Sequence, residues 1–394
     1  MNTIKKTTLM TLAGVASLAA FEYDYATAIE NQDFAGLLKN GGTLYKNSDN
    51  SFVQKIKVYG RAQYQTGTVF ADGENFNFNE FRRSRLGLEV SFLEHFKWKG
   101  NADLENGGTN SVDFDTFTGW DDAGLYADLA GLLDLDGFDK LSLFVGKTKH
   151  KIGHDVRSSS TSIKTVERTR WTDNGLRPAN STGVLLTGKA SGVEFATGFF
   201  SNTSDGDFHF WKNDGASFLY GSVGFGAGAG DVIADFVVSF DSEDSSKNTF
   251  KNDYSWSLAY VQDLAGWETA FNIGGAEDFN GGSLFGASVL THKKVTEKLE
   301  LVGRLSFATG DHSSLDASSR YARSSTVVGG ELDLNADTGV TEDAFNAYVG
   351  VNYYFVGDNS KVLVGLEYDD VSDAANTTGN EDAITLSAAY RFKF

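Results

Sequence analysis

Three stretches between residues 53 and 105 carry basic side chains that are mostly two positions apart. At the odd-numbered positions of these stretches the basic residues are Lys55, Lys57, Arg61, Arg83, Arg85, Lys97 and Lys99, and the acids are Glu89, Asp103 and Glu105. Arginine binds phosphate and other oxyanions through two parallel hydrogen bonds from its planar fork, whereas lysine acts as a point charge. A surface lined by these residues would attract and bind small anions.

The spacing also predicts the elements that hold these residues. Successive side chains of a β-strand point to opposite faces, so residues two apart share a face. The opposite face of the first stretch is formed by Ile56, Val58, Gly60, Ala62 and Tyr64. A charge facing lipid at mid-bilayer costs about 2–4 kcal/mol, so we expect the basic face to line a lumen and the apolar face to contact lipid. Arg82 shares the lipid-facing parity, and we expect it to reach the membrane interface instead.

The last thirteen residues, 382–394, alternate in the same way. Ile384, Leu386, Ala388, Tyr390, Phe392 and Phe394 share one face, and the other face is polar. An amphipathic strand that ends on an aromatic residue is typical of the closing strand of a bacterial outer-membrane β-barrel. We therefore expect Phe394 at the periplasmic rim, facing lipid, with its strand paired to the first strand near residues 55–63.

Composition agrees with many paired strands. The chain has 394 residues with 44 Gly, 1 Pro and no Cys, and proline cannot donate to a strand ladder. Mean hydropathy is only -0.27, because apolar and polar residues alternate and their contributions largely cancel in the average. No apolar run after the first twenty residues reaches the length of a membrane-spanning helix. The net charge of -19 argues against nucleic acid as a partner.

The amino-terminus reads as an export signal. Lys5 and Lys6 precede an apolar stretch and then small residues, so residues 1–28 are predicted to be a secretory signal peptide cleaved after Ala28, with an earlier alternative near Ala19. Residues 29–51 are predicted to be a polar periplasmic lead-in with a short helix at about 33–39.

Residues 52–394 are predicted to be an all-β transmembrane antiparallel β-barrel of sixteen strands. The strands are expected near 53–66, 80–92, 94–105, 121–131, 140–149, 182–189, 192–201, 216–227, 231–242, 252–263, 266–277, 281–292, 297–309, 343–355, 360–371 and 382–394. Odd connections are mostly long and polar, at 67–79, 106–120, 150–181, 202–215, 310–342 and 372–381, whereas even ones are mostly short. A soluble β-sandwich has no reason to sort its loops by length in this way.

Two blocks resemble the phosphate- and polyphosphate-selective porins. Residues 81–89 (FRRSRLGLE) with 96–99 (FKWK) resemble that family's arginine-rich second strand. Residues 145–149 (VGKTK), 158–162, 165–168 and 181–184 resemble its fifth strand and third loop. The resemblance implies a sixteen-stranded trimer whose third loop folds inward and narrows the pore. It also implies anion-attracting roles for Arg83, Arg85, Lys147, Lys149 and Arg168. The acidic total charge and the sequence KTKHK at 147–151 depart from the family, which leaves the solute open.

The predicted function is passive diffusion of small anions, with phosphate or polyphosphate as candidate solutes. The predicted pore-lining residues are Lys57, Arg61, Arg83, Arg85, Lys97, Lys99, Lys147, Lys149 and Arg168. Two alternatives remain open: a nonselective diffusion porin, and a receptor or adhesin barrel that binds partners through 150–181 and 310–342. A loop 150–181 folded inside the barrel would favour a pore, because a receptor would present it outside.

Other polar residues are given simpler interpretations. The acids are expected in loops and turns, where they could bind divalent cations that bridge lipopolysaccharide or only keep the surface solvated; they are Asp113, Asp115, Asp121, Asp122, Asp134, Asp136, Asp241, Glu243, Asp244, Asp333 and Asp337. His150 and His154 are predicted to be solvated. The chain has no G-x-S-x-G motif, and no enzyme activity or cofactor is predicted. The expected partners are small anions, outer-membrane lipid with its lipopolysaccharide, two further copies of the chain, and the barrel-assembly machinery through Phe394.

Overall fold

A computed structural model gives the structure of residues 36, 38, 40, 42–71, 74–105, 114–203, 208–210, 217–240, 248–312, 314–322, 341–373 and 380–394. The predicted signal peptide lies outside these residues, as does the start of the predicted periplasmic lead-in. Residues 36, 38 and 40 are helical, which overlaps the helix predicted at about 33–39. No helix among the described residues is long and apolar enough to cross a membrane.

Sixteen antiparallel strands form a closed barrel, which confirms the predicted fold class. A short strand, β1, spans Thr43–Lys46 and precedes the barrel. The barrel strands are β2 Val53–Ala71, β3 Glu74–Phe92, β4 Phe96–Glu105, β5 Phe114–Asp128, β6 Lys140–Thr148, β7 Ser181–Ala190, β8 Val193–Ser201, β9 Ser217–Ala227, β10 Gly230–Ser239, β11 Asn252–Leu264, β12 Trp267–Asp278, β13 Ser283–Lys294, β14 Leu299–Gly310, β15 Thr341–Tyr354, β16 Ser360–Asp373 and β17 Asn380–Lys393. Each barrel strand pairs with its neighbours in sequence, and β17 pairs with β2 to close the cylinder.

The connections follow the predicted sorting by length, with three exceptions. If both chain ends are periplasmic, the periplasmic turns are short except for 129–139, which contains the one-turn helix α1, Leu129–Leu132. On the opposite side, β12 and β13 leave only 279–282 between them. The hairpin of β2 and β3 leaves only 72–73, so the loop predicted at 67–79 is largely strand.

The outer part of the β2–β3 hairpin has an unusual alternation of side chains, and for this reason the sequence predicts a loop at 67–79. There the pattern inverts: Asn75, Asn77 and Asn79 are exposed, whereas Phe78 and Glu80 are buried inside the barrel. A strand that faces water outside and packed side chains inside should show this inverted pattern. This inversion is the pattern expected of a hairpin that extends beyond the membrane.

A β-bulge in β3 causes the inversion. The register runs from Gln63 opposite Arg83 directly to Tyr64 opposite Phe81, so Arg82 is an extra residue. A bulge shifts which positions face each side of the sheet. Arg82 consequently points inward together with Arg83, and its Nε lies 3.1 Å from Glu167 Oε1. The prediction that Arg82 reaches the lipid interface is wrong.

A second bulge lies in β5. Asn101 pairs with Asp122 and Ala102 with Trp120, which leaves Asp121 as the extra residue. Asp121 and Asp122 both point into the lumen, so their assignment to an extracellular loop is wrong. The predicted strand 121–131 in fact begins at Phe114 and ends at Asp128.

The two ends of the barrel meet on β2. Phe394 and Gly60 exchange backbone hydrogen bonds of 3.1 and 3.3 Å, and the Phe394 ring lies over Gly60 on the outer face. Beyond that point β1 takes over the same edge of β2, with Thr43 opposite Lys57 and Lys46 opposite Lys55. The predicted position of Phe394, beside the first strand and on its outer face, agrees with this arrangement.

The buried apolar residues lie inside the cylinder, between its wall and two inward segments. Residues 149–180, here called loop 3, contribute Ile152, Trp171 and Leu176 to a cluster with the inner faces of β8–β14. Residues 314–322, which follow β14, contribute Ala317, Tyr321 and Ala322 to a cluster with β2, β3, β16 and β17. The interior is thus partly filled, and the unfilled part defines the site.

Candidate pore constriction

Loop 3 is held to the inner wall through its backbone carbonyls. Arg391 of β17 is fully buried and donates to the carbonyl oxygens of Ser160 and Val166. Lys361 of β16 donates to Ile163 O over 3.1 Å. Buried cations usually pair with carboxylates. Arg391 and Lys361 also donate hydrogen bonds to the backbone carbonyl oxygens of loop 3.

Neighbouring strands extend this attachment. Arg304 NH1 donates to Glu167 O over 2.7 Å, and Asn352 Nδ2 donates to Lys164 O over 2.9 Å. The Lys164 ammonium lies 3.0 Å from Glu300 of β14. Residues 160–167 are therefore fixed against β14–β17, and the space on the other side of loop 3 remains open.

The beginning of loop 3 is attached to the opposite wall. The one-turn helix α2, His154–Arg157, follows Gly153, whose N–H donates to Asp235 Oδ2 over 3.0 Å. His150 is only 1% exposed and packs edge-on against Phe200 and Phe218. Burial lowers the pKa of His150 to about 3, so it is neutral. The prediction that His150 is solvated is wrong, because it is part of the apolar cluster that seats the loop.

A cavity of about 450 Å³ remains between loop 3 and the wall formed by β2–β6. Nine basic and three acidic side chains line it. The basic residues are Arg61, Arg83, Arg85, Lys99, Lys149, Lys151, Arg157, Arg168 and Arg177, and the acids are Asp121, Asp122 and Asp173. This basic cavity is an open, charged part of the lumen in the described structure.

The wall arginines differ in how much of their charge is available. Arg85 pairs with Asp103 and also with Asp121, whose Oδ2 lies 2.6 Å from NH1. Arg83 donates to the neutral Gln63 amide over 3.3 Å and makes no ion pair with the residues that the structure describes. Arg61 donates to Ser160 Oγ over 3.1 Å. Arg83 and Arg61 therefore present net positive charge, whereas Arg85 is neutralised locally.

Loop 3 adds basic residues of its own from the opposite side. Arg168 donates to Asp155 O and Ser158 O at 2.9 and 2.8 Å, which fixes its side chain at the cavity. Arg157 and Arg177 line the same cavity from other parts of the loop.

Sequence reasoning did not single out Lys151, Arg157 and Arg177. A compositional signal was present, since residues 150–181 contain six basic and three acidic residues in a chain whose total charge is negative. The pairs Arg82-Arg83 and Asp121-Asp122 were also informative, because adjacent charges in an alternating strand indicate a bulge.

The nine predicted pore-lining residues fall into three places. Arg61, Arg83, Arg85, Lys99, Lys149 and Arg168 line the basic cavity. Lys147 lines an adjoining cavity on the extracellular side together with Asp103 and Asn180. Lys57 and Lys97 line neither cavity and continue the basic wall toward the periplasmic end.

Aromatic rings accompany the lysines of this wall. Lys97 Nζ lies 4.7 Å from the centre of the Tyr126 ring, and Lys99 Nζ lies 5.3 Å from the centre of the Tyr59 ring. Gly87 makes room for Tyr59, because a Cβ at Gly87 would lie 2.3 Å from that ring. The rings hold the ammonium groups without neutralising them.

Lys149 is a cavity residue whose pKa is strongly lowered. Burial, together with Arg168 and Arg177, lowers the pKa of Lys149 to about 6, although Asp173 acts in the opposite direction. Burial alone would raise the pKa of Asp173, but Arg177, Arg168 and Lys149 hold it well below its usual range. Asp173 is therefore ionised at neutral pH, whereas Lys149 is largely uncharged.

This difference predicts a pH-dependent anion current. Lys149 gains a proton as the pH falls from 7.5 to 5, and the added charge should raise anion conductance by about twofold after screening by neighbouring ions. Conductance measured across this range in planar bilayers tests the effect. Lys149→Met should remove the rise, and Lys149→Arg should give the acidic value at every pH. An unchanged pH profile in Lys149→Met would contradict the assignment.

Residues 56–217 match the family model described as phosphate-selective porin O and P. The match runs from β2 to the start of β9 and includes the walls of the basic cavity and all of loop 3. It confirms the resemblance predicted from residues 81–89 and 145–184. The matched family model describes a porin, and the barrel fold is shared with solved outer-membrane proteins.

Solved porin structures share the barrel. The anion-selective porin of Comamonas acidovorans matches with TM-score 0.53 and 11% identity over 86% of this chain and 99% of its own. OmpT of Vibrio cholerae, in its trimer form, matches with TM-score 0.52 and 14% identity over 86% and 99%. The channel DcaP of Acinetobacter baumannii matches with TM-score 0.52 and 12% identity over 88% and 99%. At these identities the likeness concerns the fold. No curated protein matches the sequence.

Proposed function

We propose that this protein is an outer-membrane porin that passes small anions by diffusion, with phosphate and polyphosphate as candidate solutes. The observation that carries the proposal is the excess of nine basic over three acidic side chains around the basic cavity. A channel must attract an ion without trapping it. Partly neutralised arginines such as Arg85 and largely uncharged Lys149 suit this requirement, because they limit how tightly an anion is held.

Two comparisons support the same proposal. The matched family is described as phosphate-selective, and one porin with this fold is described as anion-selective. The basic cavity lies within the matched residues. The contacts of loop 3 with the inner wall weigh against a receptor that presents this loop outside the cell.

Reversal potentials in a salt gradient across planar bilayers test the proposal. We expect a potential that indicates preference for chloride over potassium, and phosphate should reduce the chloride current at millimolar concentration. Clear cation preference that persists in Arg83→Ala/Arg85→Ala would overturn it. Equal permeability to both ions would instead favour a nonselective diffusion porin, which the ion pairs of Arg85 with Asp103 and Asp121 make the second candidate.

We also propose a homotrimer in a bilayer that contains lipopolysaccharide. Support comes from the neighbouring structure described as a trimer form. Phe394 lies at the end of β17 beside Gly60, and in this proposal the barrel-assembly machinery recognises that strand end.

A further inference from the structure

Residues 314–322, here called the buttress segment, lie inside the barrel on the extracellular side of loop 3. Leu315, Ala317, Tyr321 and Ala322 are at most 3% exposed. This burial differs from the expectation that 310–342 is an extracellular loop free to bind partners. A segment this deeply packed in a lumen must affect either the passage or the loop beneath it.

Asp369 of β16 holds the buttress segment. Its two carboxylate oxygens accept the backbone N–H groups of Ser318 and Ser319 at 2.8 and 3.1 Å. Ser319 Oγ also lies 2.9 Å from Thr385 Oγ1 of β17. Because one side chain accepts two backbone N–H groups of the segment, Asp369 is the main attachment on this side.

Glu80 of β3 holds the other end of the segment. The Tyr321 hydroxyl donates to Glu80 Oε1 over 2.7 Å, and Arg320 Nε lies 3.2 Å from the same oxygen. Arg82 lies between Glu80 and Glu167 of loop 3, at 3.9 and 3.1 Å. The bulged arginine therefore links the buttress segment to loop 3.

A second link to loop 3 is direct. The backbone N–H of Arg170 donates to Ser318 Oγ over 3.3 Å, and Arg170 Nε lies 3.7 Å from Asp316 Oδ2. Glu167 and Arg170 are thus fixed from the extracellular side. Arg168 lies between them and points to the basic cavity instead.

We propose that the buttress segment is a positioning element that sets ion selectivity by fixing residues 167–170 of loop 3 and thereby Arg168. Asp369 is its positioning residue. The inference rests on the proposed anion function but concerns a different part of the chain. If the buttress segment is released, residues 167–170 lose two links to it. The Arg168 side chain then depends on its hydrogen bonds to Asp155 O and Ser158 O within loop 3, and we expect its position at the cavity to vary more.

Asp369→Ala in the full-length porin tests the proposal, with Asp370→Ala as the matched control. Asp370 is the next residue and pairs with Asp382 and Phe345, on the opposite face of the strand. We expect Asp369→Ala to lower the chloride-to-potassium permeability ratio by about threefold, the scale found for residues that act through a packed neighbour, and to raise open-channel noise. Asp370→Ala should change neither.

A disulfide supplies the rescue, because the chain has no cysteine. Ser319→Cys/Thr385→Cys should form a bond under oxidising conditions, detected as a mobility shift that reductant reverses. Added to Asp369→Ala, it should restore the selectivity of the unmodified porin, and reductant should abolish the rescue. A merely destabilised barrel would not respond in this way.

The outcomes separate the two proposals. An unchanged permeability ratio in a folded Asp369→Ala trimer, or no disulfide in the otherwise unmodified chain, overturns the positioning role. Cation preference of the unmodified porin overturns the anion function alone. In that case open-channel noise and its suppression by the disulfide still decide whether the buttress segment fixes loop 3.

Discussion

Arg83→Ala is expected to lower the ratio of anion to cation permeability by about fivefold. Arg83 lines the basic cavity, and its described partner is the neutral Gln63 amide. Arg83 makes no ion pair with the described residues, so removing its charge removes attraction for anions that ion pairing does not cancel, which we place at about 1 kcal/mol after screening. Reversal potentials across planar bilayers measure the change.

Lys189→Ala is the matched control for this substitution. Lys189 carries the same charge, but it is exposed beside the β7–β8 turn and lies 3.1 Å from Glu194. Its loss should leave the ratio unchanged. Arg85→Ala provides a contrast, because it also frees Asp103 and Asp121 and should reduce stability together with selectivity. Equal ratios in the parent porin and Arg83→Ala would show that Arg83 does not act on the passing ion.

Arg391→Ala is expected to loosen loop 3. The substitution removes the buried Arg391 donor from the carbonyls of Ser160 and Val166. Val166 O keeps the Gln65 amide at 3.4 Å, so the expected cost is about 1–3 kcal/mol, mainly for Ser160. Loop 3 should then move on the time scale of the recording. Single-channel traces should show higher noise and occasional larger conductance, and the unfolding temperature should fall.

Lys393→Ala separates this effect from a general loss of charge in β17. Lys393 is the next residue on the same face and pairs with Arg61 near the end of the strand. We expect quiet traces from Lys393→Ala. If Arg391→Ala gives equally quiet traces, the carbonyl contacts of Arg391 do not immobilise loop 3.

The strands could be predicted from the sequence because alternation is a local signal. Each barrel strand repeats apolar and polar residues with a period of two, and turn residues separate the repeats. The predicted and observed strands therefore differ mainly at their ends. The largest difference lies in the β2–β3 hairpin, where the pattern inverts after Arg82 instead of ending.

The site was less predictable, because its geometry depends on distant contacts. Alternation cannot show which residue of Arg82-Arg83 or Asp121-Asp122 is the extra one in a bulge. It therefore places Arg82 on the wrong face, although it places Arg83 correctly, and Asp121 and Asp122 are expected in loops or turns instead of the lumen. The attachment of loop 3 joins Ser160 to Arg391. No local pattern near either residue indicates that pairing.

The seam on β2 has a consequence for how the ring assembles. Tyr64 pairs with Tyr390, near the far end of the chain, whereas Thr43 pairs with Lys57 only a few residues away. Contacts between distant residues form slowly, because a long loop must close first. An open strand edge also invites pairing with the wrong chain until it is covered. Because β1 is close in sequence, we expect it to pair early and to cover the periplasmic end of the β2 edge before β17 arrives. β2 would therefore pair first with a strand nearby in the chain and later with a distant one.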